Sequence, residues 1–386
     1  MTVRVNKPAI NVREELADLR KPSGVAGEAM LRAETPVEQF NLISAGRRNL
    51  VLNGGMQVAQ RGTSATAAVD TTFSTVDRFK FFLSNANAYT TERSTGHLAD
   101  TGHDTALKIS VTTADTSIAS GDYYSFLQPI EAQNVQHLQY GTSSAKEMTL
   151  SFWVRATKAG TQALFVTKED STKNNFVQEY TINQSDTWEY KTVTIPPLTA
   201  SAITNDSGTG IRVGWILAYG STYHTSTIGS WTTNTNAFST ANAVNNMDTV
   251  GNTLYLTGVQ LEVGKVATPF DHPRSYGEEL ALCQRYYYQS SLASNLSGNT
   301  HAQAYSTTGV IGSFVYKVQM RANPSIDTFS AFGGTAGRIR KTSDGSEVTG
   351  AVATNIGINS FGFVSSMTGL TSGDPYDLSF TADAEL

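Results

Sequence analysis

The residues with catalytic or metal-binding potential in this 386-residue chain are six histidines (His97, His103, His137, His224, His272 and His301), one cysteine and scattered carboxylates. No histidine stands in an H-E-x-x-H pair or other ligand spacing. The densest group is HLADTGHD, with His97 and His103 beside Asp100 and Asp104. It could form a metal loop, but Gly102 makes a solvated turn the simpler reading. A single cysteine excludes an internal disulfide and any multi-cysteine zinc or iron–sulfur site. Cys283 falls on the apolar face of a helical pattern, which suits a buried structural thiol rather than an exposed, electropositive reactive one. There is no G-x-S-x-G elbow. Gly258 to Lys265 looks superficially like a phosphate loop, but five residues separate its glycines instead of four, and Val266 stands where Ser or Thr would hold magnesium. Asp70, Asp77, Asp122, Glu131 and Glu262 could include the two acids of a glycosidase; each reads more simply as a structural or surface acid. The expectation is a protein without cofactor or metal that is not an enzyme.

Aromatic side chains are the remaining chemical resource, at 10% of the chain. Sugar-binding sandwiches use Trp and Tyr because the C–H-rich faces of pyranoses stack on them while polar loops take the hydroxyls. Tyr219, Tyr223, His224 and Trp231, in or beside the long segment Gly220–Asn252, are the candidate glycan contacts. The alternative is that Trp231 pins this loop to the sandwich. Tyr286-Tyr287-Tyr288 reads as packing.

The elements that would position these residues follow from periodicity. Leu107/Ile109/Val111, Met148/Leu150/Phe152/Val154, Ile211/Val213/Trp215/Leu217/Tyr219 and Tyr255/Thr257/Val259/Leu261/Val263 all alternate with period two, as does Trp188–Ile195 before Pro196-Pro197. Trp153 falls on the second face of its run. Half-buried strands separated by Gly/Asn/Ser/Thr loops predict an antiparallel jelly-roll β-sandwich over residues 49–271. Over 272–289, Ser275-Tyr276-Gly277-Glu278 reads as a capping box opening a connecting amphipathic helix, with Tyr276, Leu280, Cys283 and Tyr287 on its packing face. Strand patterning returns over 290–386, with Asp344-Gly345 as a hairpin turn between Arg338–Thr342 and Glu347–Thr354, and predicts a small C-terminal β-sandwich domain. Residues 1–48 read instead as short helices: Val12, Leu16 and Leu19 recur at i, i+4, i+7, and Thr35-Pro36-Val37-Glu38 opens a second helix containing Phe40. That arm is too small for its own core. Val12, Leu16, Leu19 and Phe40 are expected to order it against sister chains or a larger assembly.

Charge separates the same regions. The chain holds 28 Lys/Arg and 33 Asp/Glu, of which residues 1–48 carry eight and six, about twice the density of the remainder. The net charge of −5 offers no basic face for a nucleic-acid duplex. No apolar run approaches the roughly 20 residues of a membrane span, and MTVRVNKPAINV lacks the apolar segment of a signal peptide. Low charge and abundant Thr, Ser, Asn and Gly suit a β-rich, turn-rich protein with an extracellular type of surface.

Several strings in this order resemble phage tail fibre proteins: Asn53-Gly54-Gly55-Met56-Gln57-Val58-Ala59-Gln60-Arg61-Gly62, Val76-Asp77-Arg78-Phe79, Ser151-Phe152-Trp153-Val154-Arg155, Trp188-Glu189-Tyr190, Gly258–Gly264, Ala267-Thr268-Pro269-Phe270 and Ser275 through Tyr287. Residues 4–48 look like the N-terminal segment of structural proteins of marine phages, cyanophages especially. The resemblance covers most of residues 1–320 and fades after about Pro324. It implies a carbohydrate-module-like jelly roll, a connecting helix and a distal β domain at the receptor-binding tip, assembled as a homotrimer. It also implies attachment to other virion proteins through residues 1–48 and adhesion to a host surface glycan or protein. A virion protein made in the host cytoplasm needs no export signal and no disulfides. The alternatives are a purely structural head or tail decoration and a surface-glycan depolymerase; the family supplies no catalytic residues to transfer.

Overall fold

The period-two runs become strands whose alternate residues meet in one buried layer. The computed structural model describes residues 48–66, 72–85, 88–272, 275–290, 300–330 and 334–386. Val12, Leu16, Leu19, Phe40 and Asp70 lie outside the described residues. Six strands make the first antiparallel sheet, in the order β1 (Ser64–Thr66), β4 (Tyr89–Thr95), β5 (Thr105–Val111), β13 (Thr253–Val263), β7 (Met148–Ala156) and β10 (Glu189–Ile195). Seven make the second: β12 (Trp231–Thr232), β9 (Asn174–Ile182), β8 (Gly160–Lys168), β11 (Thr209–Tyr219), β6 (Tyr123–Glu131), β3 (Lys80–Leu83) and β2 (Thr72–Phe73). Their facing sides share one core, centred on the fully buried Trp215. Its ring stacks on Phe126 at 5.5 Å and meets Phe152 edge-on at 5.6 Å, the arrangements that ring quadrupoles favour. The expected mainly-β antiparallel sandwich is the fold observed.

The outer faces of the two sheets are treated differently. Residues 220–252 lie across the second sheet, where Phe238 meets Phe165 at 5.1 Å and Ala237 joins a second apolar cluster with Leu127, Val177 and Ile216. Backbone bonds fasten this segment: Val244 N–H donates to Thr161 O and Asn246 N–H to Leu217 O, both at 2.9 Å. In the first sheet, β13 and β7 pair from Met148–Val263 to Ala156–Leu254 with one extra residue in β13 between Thr257 and Gln260. Gly258 sits in that bulge at φ 60°, and a Cβ there would lie 2.7 Å from His103 Nε2. Both the conformation and the close approach require glycine.

A third sheet follows, with its own core around Phe314, Phe361, Tyr376, Leu378 and Phe380. Its order is β19 (Glu347–Thr349), β18 (Arg338–Lys341), β21 (Pro375–Asp383), β15 (Thr300–Ala304), β16 (Gly309–Val315) and β20 (Ser360–Ser366); β14 (Tyr287–Gln289) and β17 (Ser325–Ser330) also pair with β21. The C-terminal strand is therefore the centre of this lobe. The Asp344-Gly345 turn joins β18 to β19 as expected, with Gly345 at φ 78°. Asn49–Leu386 forms one compact unit.

The connecting helix α2 (Tyr276–Gln284; α1 is the short Leu98–Thr101) is capped as expected, Ser275 Oγ accepting from Glu278 N–H at 3.2 Å. Its packing face differs from the expected one. Tyr276 is exposed, Leu280 only partly buried and Tyr287 belongs to β14; of the four residues expected on that face, only Cys283 lies on the helix's buried side, alongside Glu279 and Gln284. The reason is polar: Glu279 accepts from the Asn53 backbone N–H, so the helix turns a carboxylate inward to satisfy a buried donor.

Three of the strings that carried the tail-fibre resemblance, 53–62, 76–79 and 275–287, converge here. Asn53 Nδ2 donates to Val58 O (2.8 Å) and Asp77 O (3.0 Å), and Gln60 Nε2 reaches Asp77 and Tyr287 O. Arg285 grips the fully buried Glu131 through Nε and Nη2, and Tyr286 Oη donates to the same carboxylate at 2.9 Å. Arg78, 1% exposed, lies 3.5 Å over the Tyr286 ring, donates to Pro129 O and pairs with Glu385. Arg61 pairs with Asp383 and Glu385 and covers the Tyr287 ring at 3.6 Å. Neutralising Glu385 leaves a buried guanidinium without its carboxylate. Glu385→Gln is expected to cost about 3 kcal/mol, read as a lowered midpoint of urea unfolding with an unchanged slope.

Candidate functional site

The four candidate glycan contacts are not brought together. Tyr219 ends β11 and Tyr223 lies in the short turn Ser221–Tyr223, and their rings meet edge-on at 5.3 Å. His224 follows, its Nε2 2.9 Å from Tyr219 O. Tyr123 and Phe238 complete this cluster, at 6.2 and 6.1 Å from Tyr219, and Tyr219 Oη bonds Ser125 Oγ at 2.8 Å. The rings use one another's faces and edges to hold the 220–252 segment on the second sheet. Trp231 is in β12, three strands away from β11. Its Nε1–H donates to Pro196 O at 2.7 Å and its ring meets Tyr140 and Phe176. Trp231 pins the loop, as the alternative reading of this residue expects, with its donor and its ring edge used within the fold.

A different set of rings occupies the outer face of the first sheet. Tyr190 on β10 pairs in register with Trp153 on β7, and Trp153 with Thr257 on β13. One pleat further, Arg155 lies opposite Tyr255, and Tyr255 opposite Lys108. Trp188 precedes β10 by one residue. Side chains two apart share a strand face, so Trp188 and Tyr190 face the same way, beside Trp153 and Tyr255. The rings lie 5.3 Å apart for Trp153–Tyr190 and 6.0 Å for Trp188–Tyr255. Tyr190 is 45% exposed, Trp153 and Trp188 are partly buried, and Tyr255 forms the floor. Towards Val263 the same face is covered, since Thr268 bonds Glu262 and Gln260. The aromatic strip is thus the open part. The sequence signal for it was present in Trp153 on the wrong face for the core and in Trp188/Tyr190 at i, i+2; both are signatures of strands as much as of a site.

Loop histidines border the strip. His97 packs edge-on against Trp188 (5.4 Å) and Tyr255 (5.5 Å), with Nε2 3.0 Å from Ser94 Oγ; burial lowers its pKa. His103 packs instead with Phe270 at 4.5 Å and stacks on His272 at 5.2 Å. Neither forms a metal site: among the described residues no three His, Cys, Asp or Glu side chains cluster to hold an ion. The possible glycosidase acids that are described hold structural bonds. Asp77 accepts from Gln60 and burial raises its pKa. Asp122 accepts from Ala119 N–H, Glu131 from Arg285 and Tyr286, and Glu262 from Thr268.

No family model matches the chain, and no curated protein matches it. Among solved structures it is similar to the enzymatically active domain of tailspike protein 4 of bacteriophage CBA120 (13% identity over 56% of this chain, TM-score 0.32). It is also similar to the family 11 carbohydrate-binding module of the Clostridium thermocellum cellulase Lic26A-Cel5E (12% identity over 53% of this chain, TM-score 0.28) and to TmCBM61 in complex with β-1,4-galactotriose (10% over 56%, TM-score 0.27). The match takes in all of either binding module and 21% of the tailspike chain.

The histidine environment gives a pH dependence. Burial, reinforced by His272, holds His103 down to about 4 against an ordinary value near 6.5. The unfolded chain therefore binds a proton that the folded chain refuses between about pH 6.5 and about pH 4, so stability falls as pH drops through that window. The expected loss from this group is about 2–3 kcal/mol. It is measured as the part of the urea-midpoint decline over that range that disappears in His103→Gln.

Proposed function

We propose that this protein is a virion fibre protein that adheres to a glycan of the host cell surface, with the aromatic strip on the first sheet as the contact. The observation that carries this reading is the exposed Tyr190 ring beside Trp153 and Trp188 on an otherwise hydroxyl-rich sheet face. A rigid sheet holds such rings at fixed spacing and so spares the entropy of ordering them on binding. The tail-fibre-like strings support the setting: residues 1–48 attach the protein to the particle, and a homotrimer presents three copies of the strip. Weak single sites then gain avidity through effective concentration. Stacking rings bind a sugar face without themselves supplying an acid or a nucleophile, so the reading is of binding without cleavage.

In an adsorption-competition assay, the wild-type protein is expected to slow phage adsorption, and Tyr190→Ala and Trp188→Ala to lose most of that effect. Each lost ring is expected to weaken single-site binding by about 1–2 kcal/mol, roughly five- to thirtyfold, without a large shift in Tm for the exposed Tyr190. Equal competition by the variants would remove the strip from the adhesive surface. Release of reducing sugar from host polysaccharide would replace the adhesin with a depolymerase. Light scattering of the full chain is expected to give three times the 41.5 kDa chain mass; a monomer would end the trimer proposal.

A further inference from the structure

We infer that the strip takes an uncharged glycan and discriminates against acidic ones, an inference that rests on the proposed adhesion through that face. The charged side chains around the rings form matched pairs. Lys108 Nζ is 3.2 Å from Glu92 and Arg155 is 3.8 Å from Asp186. Arg155 also lies 4.2 Å over the Tyr255 ring and Lys108 lies 5.8 Å from it, so both cations are held against the floor of the strip rather than raised above it. The adjoining loop adds Asp100 and Asp104 without a lysine or arginine between them; Asp104 accepts from Gly96 N–H at 3.3 Å.

A carboxylate- or sialate-bearing chain would compete with Glu92 for Lys108 and with the nearby Asp186 for Arg155, and would meet the loop acids while doing so. Like charges placed together at an interface are a device for rejecting the wrong partner. An uncharged sugar asks for nothing beyond ring faces and hydroxyl partners, and the exposed Thr192 flanks Tyr190 on the same face. The strip thus has its attraction in stacking and its selectivity in charge.

The test measures binding of the full-length protein to dextran, mannan and galactan fragments as uncharged probes, and to alginate and polysialic acid fragments as acidic ones. Salt is raised from about 10 mM to about 1 M, which shortens the Debye length from about 30 Å to about 3 Å. Binding of at least one uncharged probe, changed less than about twofold by salt and lost in Tyr190→Ala, supports the inference. The double variant Glu92→Gln, Asp186→Asn uncovers both cations at partly exposed positions. It is expected to gain at least about tenfold in alginate binding at low salt, and no gain would overturn the charge-pairing argument. Preferential binding of an acidic probe by the wild type, weakening with salt but still dependent on Tyr190, would overturn the glycan class and leave the adhesive strip standing. Binding untouched by Tyr190→Ala and Trp188→Ala would overturn the strip itself, and no binding of any probe would overturn both.

Discussion

Arg78 carries a guanidinium almost wholly removed from water, so its charge has to be answered from within the protein. Three separate parts of the chain do so. The sandwich offers Pro129 O, the segment after α2 offers the ring of Tyr286, and the C-terminal tail offers Glu385. Because β21 is the central strand of the third sheet and runs directly into that tail, the same cation ties the sandwich to the core of the distal lobe. Arg61 on Tyr287, Asp383 and Glu385 repeats the arrangement beside it. Removing one partner from such a network costs more than the network is worth against an apolar replacement. The junction therefore reads as a device for specifying one arrangement of the two lobes more than for maximising stability.

That junction also changes the meaning of the sequence resemblance. Asn53, Gln60, Asp77, Arg78, Glu279, Arg285 and Tyr286 come from three of the tail-fibre-like strings, and they bond within the junction, whereas Trp153, Trp188 and Tyr190, from two others, lie in the aromatic strip. Polar side chains at fixed positions far apart in the chain look like chemistry when read in one dimension. Here they satisfy buried backbone groups: Asn53 holds Val58 and Asp77, and Glu279 holds the Asn53 N–H. The adhesive surface proposed above uses a different resource, rings left without a cover.

The two sheets show why covering matters. Both have aromatic residues on their outer faces: Tyr123, Tyr219, Phe165 and Phe82 on the second, and Trp153, Trp188, Tyr190 and Tyr255 on the first. On the second sheet the 220–252 segment lies over them and its Phe238 and Tyr223 fill the available edges. On the first sheet the return segment 264–272 stops at Gln260 and Glu262, and Tyr190 stays open.

The period-two runs, the Ser275 cap and the Asp344-Gly345 turn were legible from the amino-acid order alone. Alternation, capping and turn conformation are decided within a few residues of chain. The packing face of α2 was not, because a carboxylate turned inward makes sense only beside the Asn53 N–H, 226 residues away. Nor was the choice between Trp231 and Tyr190. Each is a ring on a strand with polar neighbours, and no local pattern distinguishes them. What separates them is Pro196 O and Tyr140 arriving at the first and nothing arriving over the second among the described residues. Local order determined which residues face in or out of the sandwich; long-range packing alone decided which of the outward rings stayed free to meet a partner.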